Sequence, residues 1–279
     1  LDSFNSQEIA NTVWAYATVH HPAPALFFAI SQSPLPKLNT FNSQELANTL
    51  WAFATLSHPA PEFFDAVSNL AVSKLNTFNS QELANTIWAY ATVYHYYVNP
   101  HFTNGILYEA IQKVESLESE QIVNILWSIV VLNSVDTEAV APLFSEVAKR
   151  YHLAQNNFRL SREALSQLHQ ASMWYSEEHH CKESLLPKEL RDLCFNHFSS
   201  SENLPSKLQR DVVQTFKSLP SYLGVSIIEE ESRCERTGYS IDVLISINQQ
   251  QLAVEIDGPC HFVGYSPNGA TMLKQRQLF

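Results

Sequence analysis

Three carboxylates and a histidine near the end of the chain are the residues best suited to chemistry. Glu255 and Asp257 stand two residues apart in an apolar run, so on a strand their side chains point to the same face. Asp242 lies in the preceding apolar run, and His261 follows Asp257 by four residues. Carboxylate oxygens are the ligands that Mg²⁺ and Mn²⁺ prefer. The pattern predicts Asp242, Glu255 and Asp257 as metal ligands, with His261 beside them.

A structural role accounts for three of these four residues. Asp242 and Asp257 can accept hydrogen bonds from turn amides, and His261 can order the loop that follows Gly258. Both interpretations stay open at this point, and no cofactor is firmly indicated beyond Mg²⁺ or Mn²⁺ at this cluster.

A second group of metal-ligand types is a weaker candidate. His179, His180 and Cys181 precede Cys194 and His197, which together have the residue types of a zinc site. The spacing follows no firm zinc pattern, and helix surfaces and core account for these residues well.

A small α/β region must position the carboxylates. Apolar, β-branched runs predict strands over 225–228, 239–247 and 252–257, with a hairpin turn over 248–251 between the last two. A helix is predicted before Pro220, and another begins at Ala270 and carries Lys274 and Arg276. We expect a C-terminal domain over 221–279, preceded by a helical extension over 158–220.

The first half of the chain is repetitive. The segment from Phe41 to Thr55 recurs almost letter for letter over 4–18 and 78–92, a spacing of 37 residues, and a diverged fourth copy starts 39 residues later at Leu117. Asn42 and Glu45 predict a capping box at a helix start, and Pro61 suits the first turn of a second helix. A helical hairpin with this period must stack on its neighbours, so we expect an α-solenoid over 1–157 and a mainly α fold.

Two residue types recur at fixed positions of the repeat. The tryptophans are Trp14, Trp51, Trp88 and Trp127. The apolar arc around each favours packing between hairpins over a row of stacking platforms for RNA bases. The asparagines are Asn11, Asn48, Asn85 and Asn124. They predict either a hydrogen-bond ladder between repeats or a set of contacts to base edges.

Charge argues against strong nucleic-acid binding by the repeats alone. Residues 1–157 hold 5 Lys/Arg against 13 Asp/Glu, and the net charge of the chain is −11. Proteins that depend on phosphate contacts gather positive charge instead. No apolar run approaches the roughly 18 residues of a membrane span.

Two resemblances nevertheless point to RNA. The repeat motif Phe-Asn-Ser-Gln-Glu-Leu-Ala-Asn-Thr-x-Trp-Ala resembles the octotricopeptide-type repeats of organellar RNA-binding proteins. The C-terminal segments Ile241-Asp242-Val243, 253–262 and 269–274 are similar to the RAP domain, which follows such repeats and occurs in the FAST-kinase-like mitochondrial proteins. This resemblance implies an α-solenoid that binds single-stranded organellar RNA, with Asn11, Asn48, Asn85, Asn124, Lys274 and Arg276 as RNA-binding candidates.

The RAP domain is similar in fold to the PD-(D/E)XK nucleases. On that resemblance Asp242 takes the strand aspartate and Glu255 the (D/E) position, while Asp257 stands where those nucleases carry lysine. Lys274 and Arg276 are the nearest cations in the sequence, and they belong to a later helix. The chain also ends before the last strands of a full RAP domain, so we expect a truncated domain in a fragment of a longer protein.

The favoured function is therefore an organellar RNA-binding protein that acts in transcript stability, processing or translation, with other proteins of an RNA-processing complex as partners. A metal-dependent RNA endonuclease, with Asp242, Glu255, Asp257 and His261 as its catalytic residues, is the alternative that the nuclease resemblance implies. We expect no cleavage or only very slow cleavage. A protein-interaction solenoid without an RNA role is the third hypothesis. The expected compartment is the mitochondrion, with the plastid as the alternative.

Overall fold

The computed structural model describes residues 3–33, 35–94, 98–154, 157–178, 184–200, 205–220, 224–248 and 250–278. Within these ranges the chain is mainly α, with a small antiparallel β region at its C-terminal end. The predicted fold class is confirmed at this level. The helices are α1 (Ser6–Thr18), α2 (Pro24–Ser31), α3 (Leu35–Leu38), α4 (Ser43–Thr55), α5 (Pro61–Ala71), α6 (Ser80–Thr92), α7 (Pro100–Gln112), α8 (Ser119–Leu132), α9 (Thr137–Ala154), α10 (Arg162–Met173), α11 (Lys188–Ser199), α12 (Lys207–Ser218) and α13 (Gly269–Leu278).

The predicted capping boxes set the starts of the repeat helices. Asn42 accepts a hydrogen bond from the Glu45 backbone at 2.9 Å, and the Glu45 carboxylate accepts one from the Asn42 backbone at 2.9 Å. The same reciprocal pair opens α1 at Asn5 and α6 at Asn79. Each pair satisfies two backbone donors that a helix start would otherwise leave without a partner. The three copies therefore begin their helices at the same place in the repeat.

The first helices of successive hairpins form one continuous layer. Helices α1, α4, α6, α8 and α10 pack side by side in that order. Small residues such as Ala47, Ala52 and Ala54 are fully buried in this layer, which lets the helices approach closely. Helix α10 packs on α8 as α8 packs on α6, so the stack continues past the solenoid boundary predicted at residue 157.

The tryptophans do not share one environment. Trp127 is 6% exposed and lies under α10, where its indole N–H donates to Gln170 at 2.9 Å. Trp51 and Trp88 pack on the core with part of each ring accessible. Trp14 is 47% exposed because α1 packs mainly on α4. The sequence favoured burial between hairpins for all four tryptophans. Of these four, Trp127 is the one that is fully buried.

The C-terminal region consists of a three-stranded antiparallel sheet and a short second ribbon. Its strands are β1 (Val225–Arg233), β2 (Ser240–Ile247), β3 (Gln250–Val254), β4 (Phe262–Val263) and β5 (Ser266–Pro267). The order in the sheet is β1-β2-β3, and α12 packs beside β1. Val213, Val243 and Ile245 form its small core. The strand predicted to reach Asp257 ends at Val254, so Glu255 and Asp257 follow the strand and the same-face argument does not apply to them.

Helix α13 joins this region to the stack. Leu273 is fully buried and belongs to the main core with the repeat helices. A Cβ atom on Gly269 would lie 1.9 Å from the Ala91 carbonyl oxygen, so α13 starts directly against the end of α6. Only a residue without a side chain fits this contact.

Replacing Gly269 tests that contact. Gly269→Ala should lower the free energy of unfolding by roughly 2 kcal/mol or more, because the backbone of α6 has to move. Gly258→Ala is the matched control, since a Cβ there meets nothing within 4 Å and should change stability by less than about 0.5 kcal/mol. Urea unfolding of both variants is the measurement. Equal stability of the two would mean that α13 does not pack on α6 in this way.

Candidate nucleic-acid interface

Asp242 connects three segments of the C-terminal region. Its Oδ1 accepts a hydrogen bond from the Gln209 amide of α12 at 2.6 Å. Its Oδ2 accepts from the backbone N–H of Ile256 at 2.7 Å. The second bond fixes the segment that follows β3, which carries Glu255 and Asp257. Both oxygens of Asp242 therefore have a structural use, as the amide-binding interpretation of the sequence expects.

Glu255 pairs with a lysine from the last helix. The Lys274 ammonium donates to Glu255 Oε2 at 2.5 Å, while Glu255 Oε1 is buried with no hydrogen-bond partner. Burial raises the pKa of Glu255, Lys274 lowers it, and the charges of Asp242 and Asp257 raise it. Helix α13 thus brings a cation to the carboxylates from 19 residues beyond Glu255.

Asp257 and His261 form a second pair next to the first. Asp257 Oδ1 lies 3.2 Å from His261 Nδ1, and the same nitrogen lies 3.1 Å from the Thr271 hydroxyl. His261 therefore links the loop after β3 to the first turn of α13. The structure brings all four predicted catalytic residues to the same end of the sheet. Glu255 pairs with Lys274, Asp257 pairs with His261, and Asp242 accepts from the backbone of Ile256.

The carboxylates of this cluster are engaged by other protein groups and do not converge on one point. Within the described ranges, no three His, Cys, Asp or Glu side chains are arranged to hold one. Asp242 is committed to Gln209 and Ile256, and Glu255 is committed to Lys274. The Mg²⁺ or Mn²⁺ site stays a prediction, and no chemical step is assigned to it.

The zinc hypothesis falls partly outside the described residues, because His179, His180 and Cys181 are not among them. Of the remaining candidates, Cys194 is buried, and burial raises the pKa of its thiol to about 12.

Arg276 has a packing role. Its guanidinium donates to the carbonyl oxygens of Val130 at 2.5 Å and Val131 at 3.2 Å, and to the Glu178 carboxylate at 2.7 Å. These contacts satisfy carbonyl groups at the C-terminal end of α8 and hold α13 against it. An RNA contact by Arg276 remains a prediction, and it would compete with these bonds.

The asparagines lie on the accessible face of the stack and do not bond to one another. Asn85 accepts a hydrogen bond from Gln81 at 2.8 Å, and Gln81 in turn accepts from Gln121 of the next repeat at 2.9 Å. Of the side-chain bonds between these repeats in the described part of the chain, one joins the two glutamines and another joins the Ser80 and Ser116 hydroxyls, 3.0 Å apart. Asn85 and Asn124 instead line a groove with Trp51 and Trp88.

Three of the five cations of residues 1–157 bond to carbonyl groups between hairpins, a feature that the sequence analysis missed. Lys74 donates to the carbonyl oxygens of Asn39 and Phe41 at 3.1 Å each. Lys113 donates to the Asn76 carbonyl at 3.4 Å. Arg150 donates to the Leu117 carbonyl at 2.6 Å and the Val114 carbonyl at 2.9 Å. Each cation reaches back to the preceding junction between hairpins. These three residues are 39 and 37 residues apart, close to the repeat period, and this spacing could have indicated a shared role in the sequence.

A pocket forms where the stack meets the C-terminal region; we call it the seam pocket. Its volume is about 380 Å³, within the range of small-ligand sites. The lining residues are Gln170, Phe198, Arg233, Gly238, Tyr239, Ser240, Cys260, His261, Asn268, Ala270, Thr271 and Lys274. These lining residues include three basic side chains, two aromatic rings and no carboxylate. Glu255 and Asp257 pair with Lys274 and His261 but do not line the pocket.

A buried hydrogen-bond network holds the wall of the seam pocket. The Gln170 amide donates to the Tyr239 hydroxyl at 2.8 Å, and that hydroxyl donates to Gln277 at 2.9 Å. The Gln277 amide closes the ring by donating to the Gln170 carbonyl at 2.9 Å. His169 ties the same helix to the loop after β1 through Nε2 and the Thr237 carbonyl, 2.8 Å apart.

His169 should make stability depend on pH. Burial lowers the pKa of His169 below 6.5, opposed by the Thr237 hydrogen bond and the Glu177 charge. The unfolded chain takes up a proton near pH 6.5 while the folded chain resists it, so stability is full above 6.5 and falls as the pH drops below it. In His169→Gln the loss of stability between about pH 7 and 5 should be smaller than in the wild type. The measurement is the free energy of unfolding across that range.

The control for this prediction is His152→Gln. His152 is exposed on α9, so its replacement should leave the wild-type pH profile in place. A His169→Gln profile as steep as that of the control would contradict the assignment.

Comparisons with known proteins concern the repeat region. The family model described as RNA-editing substrate-binding complex 6 protein (RESC6) matches residues 1–138, just under half of the chain. No curated protein matches the chain significantly. The match ends before the C-terminal region, so the RAP resemblance stays a prediction. No helix within the described ranges is both long and apolar enough to span a membrane. The repeat region is thus similar to a family of RNA-editing complex proteins, and that similarity covers residues 1–138 only.

Proposed function

We propose that the chain is an RNA-binding component of a mitochondrial RNA-processing complex, and that its seam pocket contacts single-stranded RNA. The observation that carries this proposal is the lining of the pocket: Arg233 and Lys274 supply positive charge, and Phe198 supplies an aromatic ring. Bases stack on aromatic side chains and phosphates pair with cations in proteins that bind single strands. The family relation of the repeats supports an organellar RNA role and partner proteins.

The first turn of α13 adds to the attraction for phosphate. Asn268, Ala270 and Thr271 line the pocket at this helix start, where the positive end of the helix dipole lies. The repeat face, by comparison, carries acidic residues and no described cation in its groove. The charge distribution therefore favours the C-terminal end for the phosphate contacts, with Lys274 among the contacting residues and the asparagines of the repeats outside them.

Ala270 offers a direct test. Ala270→Glu places a carboxylate in the pocket, and a glutamate suits a helix start, so the fold should be kept. We expect binding of labelled oligouridine, measured by fluorescence anisotropy, to weaken about tenfold relative to Ala270→Gln, which has nearly the same volume and no charge. Equal affinities of the two variants for oligouridine would show that the pocket does not contribute to RNA binding. Absence of RNA binding by the wild type would refute the function itself.

A nuclease remains the second candidate because Lys274 reaches Glu255. That contact brings a cation to the place where Asp257 departs from the nuclease pattern. Hydrolysis also requires a positioned water and stabilisation of the phosphate charge, and the oxygens of Asp242 are already hydrogen-bonded.

We expect no RNA cleavage, or only very slow cleavage. The measurement is incubation of single-stranded RNA with Mn²⁺ and the wild type, Asp242→Ala or Glu255→Ala. Cleavage that disappears in both variants would establish the nuclease. Lack of cleavage in all three, with RNA affinity lowered in the variants, agrees with a binding role for this end of the sheet.

A further inference from the structure

We infer that a groove on the repeat face binds a cationic side chain from an arginine-rich segment of a partner protein. The tryptophan groove, as we call it, is lined by Trp51, Asn85, Trp88, Glu120, Asn124, Ser161, Glu163 and Ala164. It lies where α4, α6 and α8 meet the first turn of α10. This surface is separate from the seam pocket and does not depend on RNA binding there.

The size of the groove suits one long side chain. Its volume is about 180 Å³. That is below the roughly 300–1,000 Å³ of pockets for drug-sized ligands. Trp51 and Trp88 pack on the core and keep part of each ring accessible, so they are firmly held. The groove is therefore a preformed slot with an aromatic wall.

The chemistry of the walls favours a cation. Indole rings attract guanidinium and ammonium groups, and guanidinium groups stack on them. Glu120 and Glu163 add two carboxylates, and the Glu120 carboxylate is held in place by the Ser161 backbone N–H at 2.8 Å. Asn85 and Asn124 add amide oxygens that can accept hydrogen bonds from a guanidinium.

The same charges disfavour RNA in this groove. A base stacked on the tryptophans would bring its phosphates close to Glu120 and Glu163. Among the residues described here that line the groove, none is lysine or arginine to offset that repulsion. Lys74, Lys113 and Arg150 point to junction carbonyls, and Lys149 pairs with Glu146 at 2.9 Å. The excess of acidic residues over 1–157 extends the preference for a basic partner beyond the groove itself.

Fluorescence anisotropy with a labelled arginine–serine repeat peptide tests this inference on the whole chain. We expect binding that weakens with salt, and no binding of a glutamate–serine peptide of the same length. Glu163→Gln should weaken the arginine peptide about two- to fivefold. Glu138→Gln is the matched control, because Glu138 is also exposed in the first turn of a helix, α9, and lies outside the groove. It should bind as the wild type does.

Trp88→Leu provides a second variant that keeps an apolar side chain on the core. It should weaken the arginine peptide by a similar factor of about two to five, from the lost attraction between ring and cation. The inference is overturned if the wild type does not bind the peptide, or if Glu163→Gln and Glu138→Gln bind it equally. It is also overturned if Trp88→Leu abolishes oligouridine binding while Glu163→Gln keeps or strengthens it, since the groove would then be a base platform.

Discussion

The hydrogen bonds from basic side chains to the carbonyl groups at the junctions are the interaction on which the stack depends. Each of these bonds joins the end of one hairpin to the backbone at its junction with the preceding hairpin, so it holds two repeats together. Lys74, Lys113 and Arg150 satisfy these carbonyl groups, each from the end of the following hairpin. The register between neighbouring hairpins is therefore fixed at the same point along the stack. Arg276 does the same for the end of α8, which joins the C-terminal region to the repeats.

This use of cations explains how an acidic solenoid and an RNA-related family are compatible. The repeat region holds few lysines and arginines, and the structure engages those described above within the protein, so its accessible face is left with carboxylates, amides and indole rings. Arg233 and Lys274 line the seam pocket, where Lys274 is also paired with Glu255. In our proposal the two ends of the chain divide the work: the C-terminal end contacts RNA, and the repeat face receives a basic partner. Both surfaces lie on elements that share one core through α13.

Much of the fold could be predicted from the sequence because the repeat carries its own signals. Asn42, Glu45 and the apolar spacing gave the helix starts and the buried faces, and the helix of Lys274 was placed within one residue. The site was harder. Contacts such as Lys274 with Glu255, or Gln170 with Tyr239, join segments far apart in sequence, and no local spacing encodes them. The predicted strand is too long because Ile256 continues the apolar pattern. In the structure the backbone N–H of Ile256 donates to the Asp242 carboxylate, and β3 ends at Val254.

The central claim is that few cations of the repeat region are available to phosphate and that the seam pocket makes the phosphate contacts; the salt dependence of RNA affinity tests this. For single strands the slope of log K against log salt concentration is about −0.7 for each phosphate neutralised. Contacts confined to the seam pocket correspond to about two phosphates, so the whole chain should bind oligouridine with a slope of about −1.4. A slope steeper than about −3 would contradict the account, because more than four phosphates would then be neutralised, more than the seam pocket can contact.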